Sequence, residues 1–241
     1  MHLQGYFITF RKLLIPGPNC SNPMTRIVTL FLLFLAFNSH SSAQVFKENW
    51  AKSAGGTGND AGTAIAIDNF GGVFIAGNFS SPTFTIGTST FTNNGGSDIF
   101  IAKFDTAGTF LWAQQLGGAG NETVKSIAVA PDGGIFLADT FSGIINLGAS
   151  TLNSSGLKDI YLAKLNTSGI LQWTKQIGSA SDQTIPDVVT DSRSFVYVSG
   201  QGNNGLSVDG IPVPAGDCFV IKIAPNGDVR KIKSISTSGY Q

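Results

Sequence analysis

From Val45 onward the chain alternates short runs of apolar β-formers with clusters of Asp, Asn, Gly and Pro, and the alternation itself repeats. The clearest unit is Ser97-Asp-Ile-Phe-Ile-Ala-Lys-Phe-Asp-Thr-Ala-Gly-Thr-Phe-Leu-Trp112. It returns as Lys158-Asp-Ile-Tyr-Leu-Ala-Lys-Leu-Asn-Thr-Ser-Gly-Ile-Leu-Gln-Trp173, and in a worn third copy from Gly216 to Lys231. Each copy reads as strand, tight turn, strand. The three tryptophans, Trp50, Trp112 and Trp173, fall on one repeat position, and Lys231 holds the fourth slot.

One full unit lies between Trp50 and Trp112. Gly55-Gly-Thr-Gly-Asn-Asp60 is too rich in glycine to be regular and predicts a loop. Ala64–Ile67 and Val73–Phe79 read as strands around the turn Asp68–Gly72. Phe84–Ile86 and Ser89–Phe91 form a small added hairpin, and Ile99–Phe104 with Thr109–Gln115 make the last pair. The second unit keeps the order with Gly117–Glu122, Ser126–Val129 and Ile135–Ala138; the third has Asp187–Thr190 and Phe195–Val198. No segment beyond residue 43 shows helical periodicity.

Runs such as Ile99-Phe-Ile-Ala102 are apolar on both faces, as sheets stacked between sheets require. Four strands per unit of about 60 residues, with one large aromatic per unit, predict an all-β chain of the β-propeller type. A linear β-solenoid is the runner-up, but its repeats would be shorter. The expected domain plan is an N-terminal extension over 1–43 and propeller repeats over 44–241, with blades at 54–115, 116–176 and 177–236. About three blades make a partial, open arc, fewer than the usual four to eight.

The N-terminal extension changes the compartment. Met24-Thr-Arg26, the apolar run Ile27–Phe37 and small residues at Ser41 and Ala43 read as a secretory signal peptide over 24–43. The apolar run is short of the ~20 residues needed to cross a bilayer. Residues 1–23 are either a long basic lead with Arg11 and Lys12 or an extension upstream of Met24. The expected location is secreted or cell-surface, with no membrane span in the mature chain. Cleavage after Ala43 removes both histidines, both methionines and Cys20, leaving fifteen acidic against twelve basic residues. Cys218 is then the one mature thiol, so no internal disulfide forms. It is expected to be a small buried hydrophobe. With few charges and no basic cluster, nothing points to nucleic acid.

The pattern Trp-x-x-x-x-Gly-Gly-x-Gly-x-[Asp/Glu], an Ile-Ala-[Ile/Val] strand, an Asp-containing Gly turn and Asp-Ile-[Phe/Tyr]-x-Ala-Lys-[Phe/Leu] resembles the seven-bladed β-propeller repeat of secreted bacterial proteins. The resemblance covers about 45–241; it implies the fold and carries no active site. The third copy departs from it, with Lys231 for Trp and Gly178-Ser179 for Gly-Gly. Ala102-x-x-Asp105-x-x-Gly108-x-x-x-Trp112 and its second copy are also similar to the tryptophan-docking motif of quinoprotein propellers, with the Asp–Gly spacing one residue short. That implies Trp112 and Trp173 as packing residues between blades, and no quinone. Truncating either should cost roughly 3–5 kcal/mol if it is buried.

Aligning Lys231 with Trp50 puts Gln241 on Asp60, inside the loop that would open a fourth repeat, and Val45–Ser53 has the character of a last strand. The expectation is a fragment of a longer propeller or an arc whose end sheets need further blades or self-association to cover them.

Candidate sites are few. Gly55–Asp60 matches the first six places of a calcium-binding nonapeptide, but the loop recurs every ~60 residues rather than nine. Its acidic place reads Asp60, Glu122, Gln183 and Gln241, so a connecting loop is expected and no metal or cofactor. The pairs Asp98–Lys103, Asp159–Lys164 and Asp217–Lys222 recur at spacing five, which puts the members on opposite faces of a strand. They are expected to be structural and not mutual partners. A mature chain without histidine excludes Ser-His-Asp triads and histidine-ligated metals. The reading is a non-catalytic exported scaffold or binding module, recognising an extracellular protein or glycan through loops or the variable hairpins 80–95, 141–156 and 201–216. The rival is a carboxylate-pair enzyme acting on carbohydrate at the propeller face.

Overall fold

The computed structural model describes residues 50–183, 187–201, 205–216 and 218–235. The predicted signal peptide and Asp217 lie outside the described residues. Within them the chain is all strand and turn, and no helix is long and apolar enough to cross a membrane.

The first blade follows β1 (Ala54–Gly55). It contains β2 (Asp60–Ile67), β3 (Val73–Phe79), the hairpin β4 (Thr83–Ile86) and β5 (Ser89–Thr92), then β6 (Asp98–Phe104) and β7 (Phe110–Leu116). The second has β8 (Ser126–Val129), β9 (Ile135–Phe141), the hairpin β10 (Ile144–Leu147) and β11 (Ser150–Asn153), β12 (Asp159–Leu165) and β13 (Leu171–Gly178). The third has β14 (Val188–Thr190), β15 (Val196–Gln201), the hairpin β16 (Ser207–Val208) and β17 (Ile211–Pro212), β18 (Cys218–Ile223) and β19 (Val229–Ile235). Each blade is an antiparallel sheet in chain order, β2-β3-β6-β7, β8-β9-β12-β13 and β14-β15-β18-β19. The inserted hairpin stands between the second and third strands of each, as the turn grammar predicts.

The innermost strands β2, β8 and β14 are neighbours across the blade junctions, which makes the stack an arc about a common axis. Apolar residues on both faces of β6 and β12 are buried between sheets. One core joins blades 1 and 2 through Phe74, Ile99, Ile101, Leu137, Tyr161 and Leu165. A second joins blades 2 and 3 through Phe136, Ile160, Leu162, Val198, Phe219 and Ile221. The sheets do not close into a ring, so the fold is an open arc of propeller-type blades.

Two expectations need correction. The first strand begins at Asp60 rather than Ala64, because a bulge between Gly62 and Ala64 lets the loop end pair with β3. Cys218 is only partly buried, since it lies on the face of blade 3 that no sheet covers among the described residues; its thiol sits 3.9 Å from the Ile235 carbonyl.

Candidate functional site

The repeated lysines have partners, but not the aspartates five residues before them. Lys103 Nζ lies 3.0 Å from Asp68, Lys164 Nζ 3.7 Å from Asp132 and Lys222 Nζ 3.2 Å from Asp191. Each aspartate belongs to the turn between the first two strands of the same blade, next to the strand position that faces the lysine. The ammonium groups also lie over Phe74, Phe136, and Phe195 with Tyr197. Asp68 Oδ1 accepts the amides of Phe70 and Gly72, and Asp191 Oδ1 those of Arg193 and Phe195. Burial works against the ionised Asp191, yet these amides, the Tyr197 hydroxyl and Lys222 hold it down at about 2. Lys222 is raised in turn by Tyr197, against burial, and by Asp191.

Asp98 and Asp159 are fully buried and serve a different purpose. Asp98 Oδ2 accepts the Asn94 amide at 3.0 Å and the Gln115 side-chain amide. Asp159 Oδ2 accepts the Ser155 amide at 2.8 Å and the Gln176 side-chain amide at 2.6 Å. Each carboxylate therefore ties the end of its hairpin to the outer strand. Their second oxygens have no hydrogen-bond partner among the described residues, and the carboxylates fill the space that a side chain on Gly117 or Gly178 would need. The signal for this clamp was a glutamine three residues after each of Trp112 and Trp173, which the strand reading passed over.

The glycine-rich loops are closed by their own acidic place. Asp60 accepts the Gly56 amide at 2.7 Å and both the amide and hydroxyl of Ser81. Burial opposes its charge, but these bonds, Ser81 first, lower its pKa. Glu122 accepts the amides of Gly118 and Asn146; burial, followed by the charge of Asp98, raises its pKa. In the third loop Gln183 donates to Ser179 Oγ and the Ser181 carbonyl. The oxygens a cation would need are turned onto loop and hairpin amides, the arrangement of a connecting loop. Among the described residues no group of three or more His, Cys, Asp or Glu could hold a metal ion.

The tryptophans dock between blades. Trp50 lies against Gly108, Trp112 against Gly169 and Trp173 against Gly227, each glycine in the outer turn of the following blade with φ between +76° and +92°. Trp173 Nε1 and Lys164 Nζ both donate to the Pro225 carbonyl of blade 3, at 3.1 and 2.8 Å. All three indoles are half-buried rather than fully buried, since their outer edges meet solvent at the rim of the arc. Nearer the axis, Ser126 Oγ donates to Asp187 and Thr190 Oγ1 to the Val129 carbonyl. Ser194 takes a turn position held by glycine in the other blades, at φ 63°, and its hydroxyl accepts the Asp132 amide across the junction.

The hairpins also join blades, which the sequence did not suggest. Gly55 and Ala54 pair with Thr85 and Ile86 of β4, and Gly178 and Ile177 pair with Ser207 and Val208 of β16. One edge of the first and of the third hairpin is thus fixed to the preceding strand, while among the described residues β10 and β11 pair only with each other, and each hairpin keeps a face towards solvent. On the first hairpin the outward face carries Thr83, Thr85, Thr90 and Thr92 in cross-strand pairs; on the second, Ile144, Thr151 and Asn153.

Residues 172–207, from β13 into the third hairpin, match the model of a family described as a beta-propeller repeat. That stretch is similar to a β-propeller repeat, in keeping with the all-β arc of blades. It is also similar to regulatory protein FlaEY of Caulobacter vibrioides, 29% identical over 140 residues, 56% of this chain and 15% of that protein. A second relative is an uncharacterized WD repeat-containing protein, L264, of Acanthamoeba polyphaga mimivirus, 23% identical over 181 residues, 63% of this chain and 13% of that one. The chain thus spans only a small part of these relatives. A solved structure of a protein of unknown function from Bacteroides caccae aligns over 74% of this chain and 47% of its own, with 11% identity and a TM-score of 0.37.

Proposed function

We propose that this chain is an exported propeller-repeat scaffold that recognises an extracellular protein or glycan, and that it has no catalytic centre of its own. The observation that carries this reading is the division of labour within each blade. The recurrent charged residues are spent on architecture: Lys103, Lys164 and Lys222 on turn carboxylates, Asp98 and Asp159 on hairpin amides, Glu122 on its loop. The rival enzyme would need two carboxylates poised across a cleft, and these buried ones already face backbone amides. What varies between blades is the solvent face of the hairpin, a small platform of hydroxyl and amide groups on a rigid support, which suits polar recognition.

The test is a glycan array and a panel of purified surface proteins probed with the full chain and with a variant carrying Thr83→Ala, Thr85→Ala, Thr90→Ala and Thr92→Ala. These positions are exposed, so the melting temperature should stay within about 2 °C, a shift that reflects only surface-sized changes in stability. Binding by the parent that the variant loses supports the proposal. Turnover of a bound glycan, or binding indifferent to all four changes, contradicts it.

A further inference from the structure

The second hairpin docks differently from the other two. Ile86 pairs with Ala54 and Val208 with Ile177, while Thr85 pairs with Gly55 and Ser207 with Gly178. By repeat position the same pairs on blade 2 are Leu147 with Leu116 and Asn146 with Gly117, because Leu116 faces Ile99 of β6 as Ile177 faces Ile160 of β12. They do not form: among the described residues β10 pairs only with β11. Yet the partners are close. Leu116 Cδ2 lies 3.6 Å from where a methyl group on Gly148, at the hairpin tip, would sit, and Asn146 lies over Gly118, one residue past the register position. On its other side the hairpin is anchored to its own blade. Gln176 donates to the Asn153 carbonyl at 2.8 Å, and the hydroxyls of Ser150 and Thr174 are bonded at 2.6 Å. The β10 side is the one left open.

What differs at this junction is the acidic place of the glycine-rich loop. At the first it is Asp60, whose oxygens are taken up by Gly56 and by Ser81, ahead of β4. At the third it is the neutral Gln183, which turns back onto Ser179 and Ser181 of its own loop. At the second, only Ser142 and Gly143 separate β9 from β10, where Ser80, Ser81 and Pro82 separate β3 from β4. Glu122 bonds no serine there. Its Oε2 accepts the Gly118 amide at 3.1 Å, and its Oε1 reaches into the hairpin to accept the Asn146 amide at 3.4 Å. The carboxylate is fully buried, and among the described residues no lysine or arginine forms an ion pair with it. The titratable groups around it are Asp98 of β6 and Tyr161 of β12, whose hydroxyl donates to the Thr123 carbonyl, with Asp139 of β9 beside Tyr161. Burial first, and the charge of Asp98 after it, raise the pKa of Glu122 above the ordinary 4.5, so mild acid neutralises it.

We propose that Glu122 is a latch: ionised, it holds the Asn146 amide and keeps the second hairpin off β7; protonated, it releases that amide and the hairpin closes onto Leu116 and Gly117 in the register its two counterparts use. The third junction is the template for the closed form, since a neutral side chain at the same place leaves its hairpin paired. One proton suffices, because a neutral carboxyl loses the charge that makes it a strong acceptor and is free to turn onto its own loop as Gln183 does. The outward residues Ile144, Thr151 and Asn153 move with the hairpin, so pH sets where its solvent face stands against blade 1. The inference concerns the seat of the hairpin and does not rest on what its face recognises.

The isotope-labelled full chain is followed by NMR from pH ~7 to ~4, reading the Glu122 carboxyl carbon, cross-strand proton contacts between 116–117 and 146–147, and amide exchange over the same residues corrected for its intrinsic pH dependence. The expected result is that the contacts are absent at the upper pH and appear with the midpoint of the Glu122 carboxyl, while exchange slows at least about tenfold. A Glu122→Gln chain should show the contacts at every pH. Contacts already present in the parent at the upper pH, none at the lower, or a midpoint that departs from that of Glu122 overturns the proposal. So does a folded Glu122→Gln chain whose hairpin stays off β7; if that variant fails to fold, the parent titration decides alone.

Discussion

The indole of Trp112 lies on the backbone of Gly169 in the next blade, so closely that a methyl group on Gly169 would sit 2.7 Å from the indole Cζ3. Glycine is required there twice over, by φ of +77° and by the ring above it. Trp50 meets Gly108 as closely, and Trp173 lies over Gly227 at ordinary contact distance, so the strands carrying these three tryptophans each have a seat on the outer turn of the next blade. Blade order is thereby held at the rim by ring-on-backbone packing and nearer the axis by Ser126 with Asp187 and Thr190 with Val129.

Replacing Asp159 by Ala should destabilise the chain by roughly 1–3 kcal/mol, because the Ser155 amide and the Gln176 side chain lose a buried acceptor. Urea unfolding followed by tryptophan fluorescence measures it. A loss below about 0.5 kcal/mol, the size of an ordinary surface change, would show that the hairpin clamp contributes little.

Much of this architecture is legible in the sequence because the repeat is local. Strand, turn and strand are set by neighbours, so the phrase ending at Trp112 locates β6 and β7, and Gly87-Thr88 marks the inserted hairpin. What was not legible is pairing across distance. The lysine spacing places Asp98 and Lys103 on opposite faces, but Asp68 as the partner of Lys103 depends on how β3 lies between β2 and β6. The joining of β4 to β1 and of β16 to β13 was hidden for the same reason. Cys218 looked interior because its strand is apolar, and its exposure depends on what stacks against blade 3.

Acid should weaken the third blade through Asp191. Its folded pKa of about 2 lies below the ordinary 3.8, so its contribution is fully present above pH ~4 and is lost as pH falls from 4 towards 2. Glu122 has the opposite sign: its raised pKa makes the charged form unfavourable, and protonating it on acidification adds stability. The melting temperature of Asp191→Asn should therefore depend less on pH between 4 and 2 than that of the parent. Parallel profiles would show that the Asp191 cluster is not linked to folding.

The account rests on blades held together by tryptophan on glycine, and a double-mutant cycle between Trp112→Ala and Gly169→Ala tests it most directly. Gly169→Ala alone should cost more than Gly143→Ala, which has φ of +68° but open space around it and so carries only the backbone term of about 1–2 kcal/mol. Trp112→Ala alone should cost about 2–3 kcal/mol, below the range for a fully buried ring because this one is half-buried. With Trp112 removed, the Gly169 substitution should cost less than in the parent, keeping the backbone term and the contact with Gln114 Cγ, a coupling of at least about 1 kcal/mol. Additivity within about 0.3 kcal/mol would contradict the contact and the way of joining blades built on it.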